Sequence, residues 1–191
     1  MPATALDPKT ALVVIDLQKG LAGRPMAPNA FEGVVANTAR LAAGFRRARL
    51  PVIWVTVAFS PDGGDRLVTR TDAPPRQLPL DPAFSELVPE LGAQPMDLRL
   101  VKRQPNAFYG TDLELQLRRR GITGIVLTGV ATSIGVDGTA RGAHERGFNV
   151  TFALDAITDL EAEAHDFVTR KVYPRLGESG STDAVLALLP K

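Results

Sequence analysis

The sequence predicts an α/β fold, a three-layer α/β/α sandwich around a mostly parallel, doubly wound sheet. Three observations carry that expectation. Short apolar runs alternate with amphipathic segments along the chain, the rhythm of parallel strands joined by crossover helices. Most of the runs are continuously apolar rather than alternating, as strands covered on both faces must be. With 191 residues, 45% of them hydrophobic, the chain is long enough to bury one sizeable core, so 1–191 is read as a single domain.

Strands are expected at 11–16, 52–58, 98–102, 124–128 and 149–154. Between the first two, Val34, Thr38, Leu41, Ala42 and Phe45 recur at helical spacing, and Pro51 separates that helix from the Val-Ile-Trp-Val strand, giving one right-handed βαβ unit. Thr111 with Glu114 forms a capping-box pattern, Glu114 and Arg118 lie one turn apart, and Arg118 to Arg120 before Gly121 suits a helix C-terminus. Thr158 with Glu161 repeats the start signal. A helix over 135–146 is rich in Gly138, Ala140, Gly142 and Ala143, so its backbone can lie close to the sheet, and Gly147 ends it. The segment 182–189 reads as a short last helix packing Val185, Leu186 and Leu189. The segment 60–82 breaks the rhythm with five prolines and glycines before Pro79 and with Arg66, Arg70 and Arg76. It follows a strand and so leaves the carboxyl edge of the sheet, where open α/β folds bind ligands; we read it as a lid or substrate-contacting loop.

Charge and composition exclude several function classes. Lys plus Arg (22) balances Asp plus Glu (21), so no broad basic field draws nucleic acid or an anionic membrane, and a small-molecule partner fits better. The absence of cysteine removes disulfides and thiolate chemistry, and two widely spaced histidines make no zinc site without several carboxylates. No metal and no cofactor are expected. No apolar run approaches the ~18 residues of a membrane span and no leader pattern opens the chain, which reads as cytoplasmic. No strand is followed by GxGxxG or GxxxxGK[ST]. His144 and His165, flanked by charges in helical segments, read as solvated surface residues.

Asp16 closes the run Ala-Leu-Val-Val-Ile, and Lys102 closes Leu-Arg-Leu-Val. Both fall at carboxyl ends of expected strands, and the loop after Thr128 leaves the same edge, so a doubly wound sheet would bring all three to one crevice. On pattern alone a bland alternative stays open: Asp16 as a turn former and Lys102 reaching to solvent.

Three ordered motifs then carry a family resemblance. They are Ala11-Leu-Val-Val-Ile-Asp16-Leu-Gln18; Val101-Lys102-Arg103 followed by Asn106-Ala107-Phe108-Tyr109-Gly110-Thr111-Asp112-Leu113; and Gly129-Val130-Ala131-Thr132 with Thr139-Ala140-Arg141. Together they resemble the isochorismatase-like, or cysteine-hydrolase, family over nearly the whole chain. The resemblance implies a parallel α/β/α sandwich, hydrolysis of a small molecule, and assembly into homo-oligomers. It implies Asp16 as acid/base and Lys102 as the active-site lysine. Substrate would lie against Val130, Ala131, Ser133, Ile134 and Gly135, with Phe108 from the second motif, and a cis peptide is implied at Val130–Ala131.

Gly135 stands where the resemblance places the nucleophilic cysteine. A glycine cannot attack a carbonyl, so the acyl-enzyme route is closed there. Isochorismatases proper are similar in carrying glycine at this point; they hydrolyse a vinyl ether, the aspartate protonating the enol-ether carbon and water capturing the cation to release pyruvate. Glycine at a helix N-terminus also lets a carboxylated ligand approach backbone N–H groups. For Asp16 to donate a proton near neutral pH, burial must outweigh the pull of Lys102, helped by a substrate carboxylate that Arg66, Arg70 and Arg76 would bind. Two readings remain beside this one: a hydroxyl nucleophile at Ser133 or Thr132, and a family member without catalysis that binds a small molecule or serves assembly.

Overall fold

Six parallel strands form one sheet: β1 (Thr10–Ile15), β2 (Val52–Val57), β3 (Leu98–Lys102), β4 (Gly124–Val130), β5 (Asn149–Thr158) and β6 (Glu178–Gly180). Their spatial order is β3-β2-β1-β4-β5-β6. The computed structural model describes residues 3–72 and 79–190. Among the described residues five α-helices connect and flank the strands: α1 (Phe31–Arg47), α2 (Leu113–Arg119), α3 (Asp137–Glu145), α4 (Ala162–Phe167) and α5 (Thr182–Leu188).

The three layers follow from the period-2 geometry of the strands. In β1, Ala11, Val13 and Ile15 pack with Leu113, Leu117, Ala140 and Ala143 of α2 and α3. Leu12 and Val14 face the other way, onto Val34, Leu41 and Phe45 of α1 and Val185 of α5. Strands β1, β2 and β4 are buried at every position, which is why they read as unbroken apolar runs. Trp54, enclosed in β2, places its indole N–H on Asp97 Oδ2 at 2.8 Å.

Three local expectations are corrected. The Thr158/Glu161 start signal does not open a helix: β5 runs on through Thr158, whose hydroxyl donates to the Asn29 carbonyl at 2.6 Å, and α4 begins at Ala162. Pairing with β4 on the far side of a register shift, where Val130 meets Thr158, outweighs the local cap. Thr111 accepts from the Leu113 N–H at 3.1 Å instead of closing a capping box, and Glu114 is engaged by Arg118 at 3.6 Å and Arg146 at 2.7 Å. Finally, the expected helix over 135–146 is preceded by a π-helical turn, Thr132–Val136, and α3 proper starts at Asp137. The sixth strand, Glu-Ser-Gly, has no apolar run to announce it; it adds to the edge of β5 through main-chain pairing alone.

Candidate active site

The sheet winds in opposite directions from β1 and β4, and the crevice of such a fold lies at their carboxyl ends. Asp16 is the first residue beyond β1. Its backbone turns into the left-handed region, φ 55°, while its N–H still donates to the Val55 carbonyl at 2.8 Å. An aspartate tolerates that conformation better than most residues. The fully buried Gln18 anchors the turn: its amide donates to the carbonyls of Val57 (3.1 Å) and Phe84 (3.0 Å) and accepts from the Val57 N–H (2.9 Å).

Lys102 ends β3, two strands away, in register with Val57. Strand β2 stops at that level, so the long lysine side chain crosses its end and places Nζ 2.7 Å from Asp16 Oδ2. Both residues are buried, and Asp16 Oδ1 has no hydrogen-bond partner among the described residues. Burial, the largest influence, pushes the Asp16 carboxyl above the usual carboxylate range; the charge and hydrogen bond of Lys102 oppose it, and the nearby Val57 amide opposes it less. Desolvation prevails.

The third segment comes from β4. Gly129 lies opposite Ile15 with φ 118°, and the Val130–Ala131 peptide is cis. The π-helical turn then brings Gly135 against Asp16: a Cβ there would lie 3.4 Å from Asp16 Oδ2, 3.0 Å from Ile15 Cγ2 and 3.2 Å from the Val130 carbonyl. A side chain at this position would point at the carboxylate.

These groups open onto a cavity of about 630 Å³. Asp16, Lys102, Val130, Ala131, Ile134 and Gly135 all line it, so six of the eight site residues expected from the sequence come together. Ser133 and Phe108 lie elsewhere. The Ser133 N–H donates to Asp159 Oδ2 at 2.6 Å, and Phe108 is buried in the core, stacked 5.9 Å from Phe148. Arg66 from the long loop lines the cavity with its guanidinium 5.3 Å from the Phe59 ring centroid. Arg70 is exposed and outside the lining, and Arg76 falls outside the described residues. Arg24 and Arg103 also line the cavity; Arg103 stands in the second motif beside Lys102, whereas no pattern in the sequence marks Arg24. Among the described residues no three His, Cys, Asp or Glu side chains are grouped to hold a metal ion, and no helix is long and apolar enough to cross a membrane.

Behind the turn lies a second layer of polar contacts. Thr132 Oγ1 is 2.8 Å from His165 Nδ1, and the Tyr173 hydroxyl donates to the Thr132 carbonyl at 3.0 Å. His144 is exposed as expected, but His165 is buried, which corrects its reading as a surface residue. The signal was present in the spacing: His165 and Val168, three apart, form the buried face of this helical segment. Thr132 is itself fully buried with its hydroxyl committed to His165, so it does not present a nucleophile to the cavity.

Burial lowers the His165 pKa from its ordinary 6.5, while Asp166 and Asp159 pull the other way. In the unfolded chain the imidazole protonates first, so stability is expected to fall as pH drops below about 6.5 toward the folded-state pKa. Thermal melts of wild type and His165→Gln across that interval check this. The variant should show a shallower loss of melting temperature on acidification; equal slopes would remove His165 as the cause.

A doubly wound sheet with a carboxylate–ammonium pair at its switch point, facing a largely apolar cavity, defines an α/β protein of the small-molecule enzyme class. The chain belongs to the isochorismatase family of hydrolases: the Isochorismatase domain matches residues 10–184. The isochorismatase family protein YecD of Escherichia coli O157:H7 is 44% identical over 180 residues, covering 94% of this chain and 96% of its own. An isochorismatase family protein from Burkholderia thailandensis superposes with a TM-score of 0.95 at 48% identity, with 97% of each chain covered. The N-carbamoylsarcosine amidase of Thermoplasma acidophilum is a more distant neighbour: TM-score 0.72, 30% identity, 92% of this chain and 97% of that one.

Proposed function

We propose that this protein is a hydrolase of small metabolites that works without a covalent nucleophile, with Asp16 as a proton donor toward an enol ether. The observation that carries the reading is the state of Asp16. Its carboxyl is buried at the cavity wall, raised in pKa by that burial, and unpartnered at Oδ1. An acid for neutral pH needs that shift.

The chemistry follows from the groups at hand. The protonated Asp16 gives its proton to the terminal carbon of the enol ether, and the ether oxygen stabilises the resulting cation. Water adds to the cation, losing a proton that restores Asp16, and the hemiketal collapses to a ketone and an alcohol. Lys102 holds Oδ2 and stabilises the carboxylate that exists between the two proton transfers. Gly135 occupies the point where a nucleophilic side chain would face Asp16, and the chain contains no cysteine at all, so the thioester route to amides is closed.

The test is pyruvate release from isochorismate, followed with a coupled dehydrogenase. Turnover that declines as pH rises past the Asp16 pKa is the expected result, because the acid is then deprotonated. Absence of pyruvate at every pH would remove the enol-ether assignment.

A further inference from the structure

The charge balance of the cavity points to the part of the ligand that the proton-transfer chemistry leaves undefined. Among its described lining residues are four cations, Arg24, Arg66, Lys102 and Arg103, and one carboxylate, Asp16. Lys102 is paired with Asp16, and Arg103 with Asp65. Arg66 packs over Phe59. Arg24 differs from all of these: its guanidinium makes no hydrogen bond or ion pair among the described residues, although it borders the cavity.

The backbone that presents Arg24 is pinned on both sides. Upstream, the Lys19 N–H donates to the Glu86 carbonyl at 2.8 Å and the Leu21 N–H to the Gln18 carbonyl at 3.0 Å. Downstream, Ala27 and Asp159 exchange both main-chain hydrogen bonds, at 2.9 and 3.0 Å. The guanidinium is therefore offered from a held loop, which lowers the ordering cost of using it. Beside it the wall is apolar, from Met26, Phe59 and Phe84.

We infer that Arg24 is the carboxylate-binding residue of this cavity and that the ligand carries a carboxylate on an apolar, ring-sized body. A carboxylate matches the guanidinium fork with two parallel N–H donors, and a cavity bordered by an apolar wall strengthens that pair relative to water. The apolar body lies against Phe59 and Phe84 while the carboxylate turns to the rim. The inference rests on reading this cavity as the substrate site; it does not depend on Asp16 being an acid.

Two ring probes of the same shape separate charge from fit: benzoate, and its neutral isoelectronic counterpart nitrobenzene. Affinities measured by ligand-observed NMR titration should favour benzoate by at least about tenfold in the wild-type protein. Arg24→Gln should bring the two probes to near equality while nitrobenzene binding stays unchanged, and Arg24→Lys should keep part of the preference. Arg24 is exposed on a loop, so the variants should fold as the wild type does, which circular dichroism checks. A preference that survives Arg24→Gln, or that moves to Arg66→Gln, overturns the assignment. Failure of the wild type to bind benzoate at millimolar concentration overturns it too. Asp16→Asn should leave the benzoate preference in place, so failure of the acid reading appears in turnover and failure of the carboxylate reading appears in binding.

Discussion

Asp16→Asn is expected to reduce turnover by about 10²- to 10⁴-fold, the range that a positioned general acid contributes. The substitution is chosen for its geometry. Asparagine shares with aspartate the tolerance for positive φ that residue 16 requires at φ 55°, so the turn after β1 is kept. Its carbonyl oxygen can accept from Lys102 as Oδ2 does, across the same 2.7 Å. The amide nitrogen then replaces the unpartnered Oδ1, and no transferable acidic proton remains. Alanine would be a poorer probe, since it strains the backbone and leaves the Lys102 ammonium buried without an acceptor. Near-UV circular dichroism should superpose on the wild type. Turnover within a factor of a few of wild type, with the fold intact, would falsify the acid role of Asp16.

The site was legible to unequal depth, and the reasons are physical. Asp16, Lys102 and the turn through Gly135 could be placed because each ends an apolar run, and in a doubly wound sheet run ends share one edge. The approach of Lys102 to within 2.7 Å of Asp16 depends on β2 being short enough for Lys102 to pass its end, which no local pattern encodes. Ser133 does not line the cavity; it sits in the π-helical turn, where Asp159, distant in sequence, accepts from its main-chain N–H. Phe108 belongs to the second motif, whose resemblance implies a contact with substrate, but it packs in the core against Phe148. Arg24 gives no signal, because a single arginine in a loop carries no periodicity. The three layers were legible throughout, since the burial of both sheet faces is written in unbroken runs such as Leu12 to Ile15.

Gly129→Ala is expected to cost stability on the scale of the exceptional single substitutions, about 4 kcal/mol or more, and to yield little folded protein. Two independent penalties meet at this position. Its φ of 118° is one that side chains rarely adopt, and the added Cβ would lie 2.0 Å from the Ile15 carbonyl oxygen and 2.8 Å from its nitrogen. The obstruction is backbone, not a flexible side chain. Ile15 cannot withdraw, because β1 is paired with β2 on one side and β4 on the other at that level. Gly147→Ala provides the control: it also has positive φ, 75°, but a Cβ there meets nothing within 4 Å, so only the conformational cost of about 1–2 kcal/mol applies. Urea unfolding of both variants beside wild type separates the penalties. A Gly129→Ala midpoint no lower than that of Gly147→Ala would mean that the β1–β4 contact yields, and with it the constraint that brings the Gly135 turn against Asp16. The glycine that admits this close approach and the glycine that lies against the Asp16 carboxylate are six residues apart on the same connection out of β4.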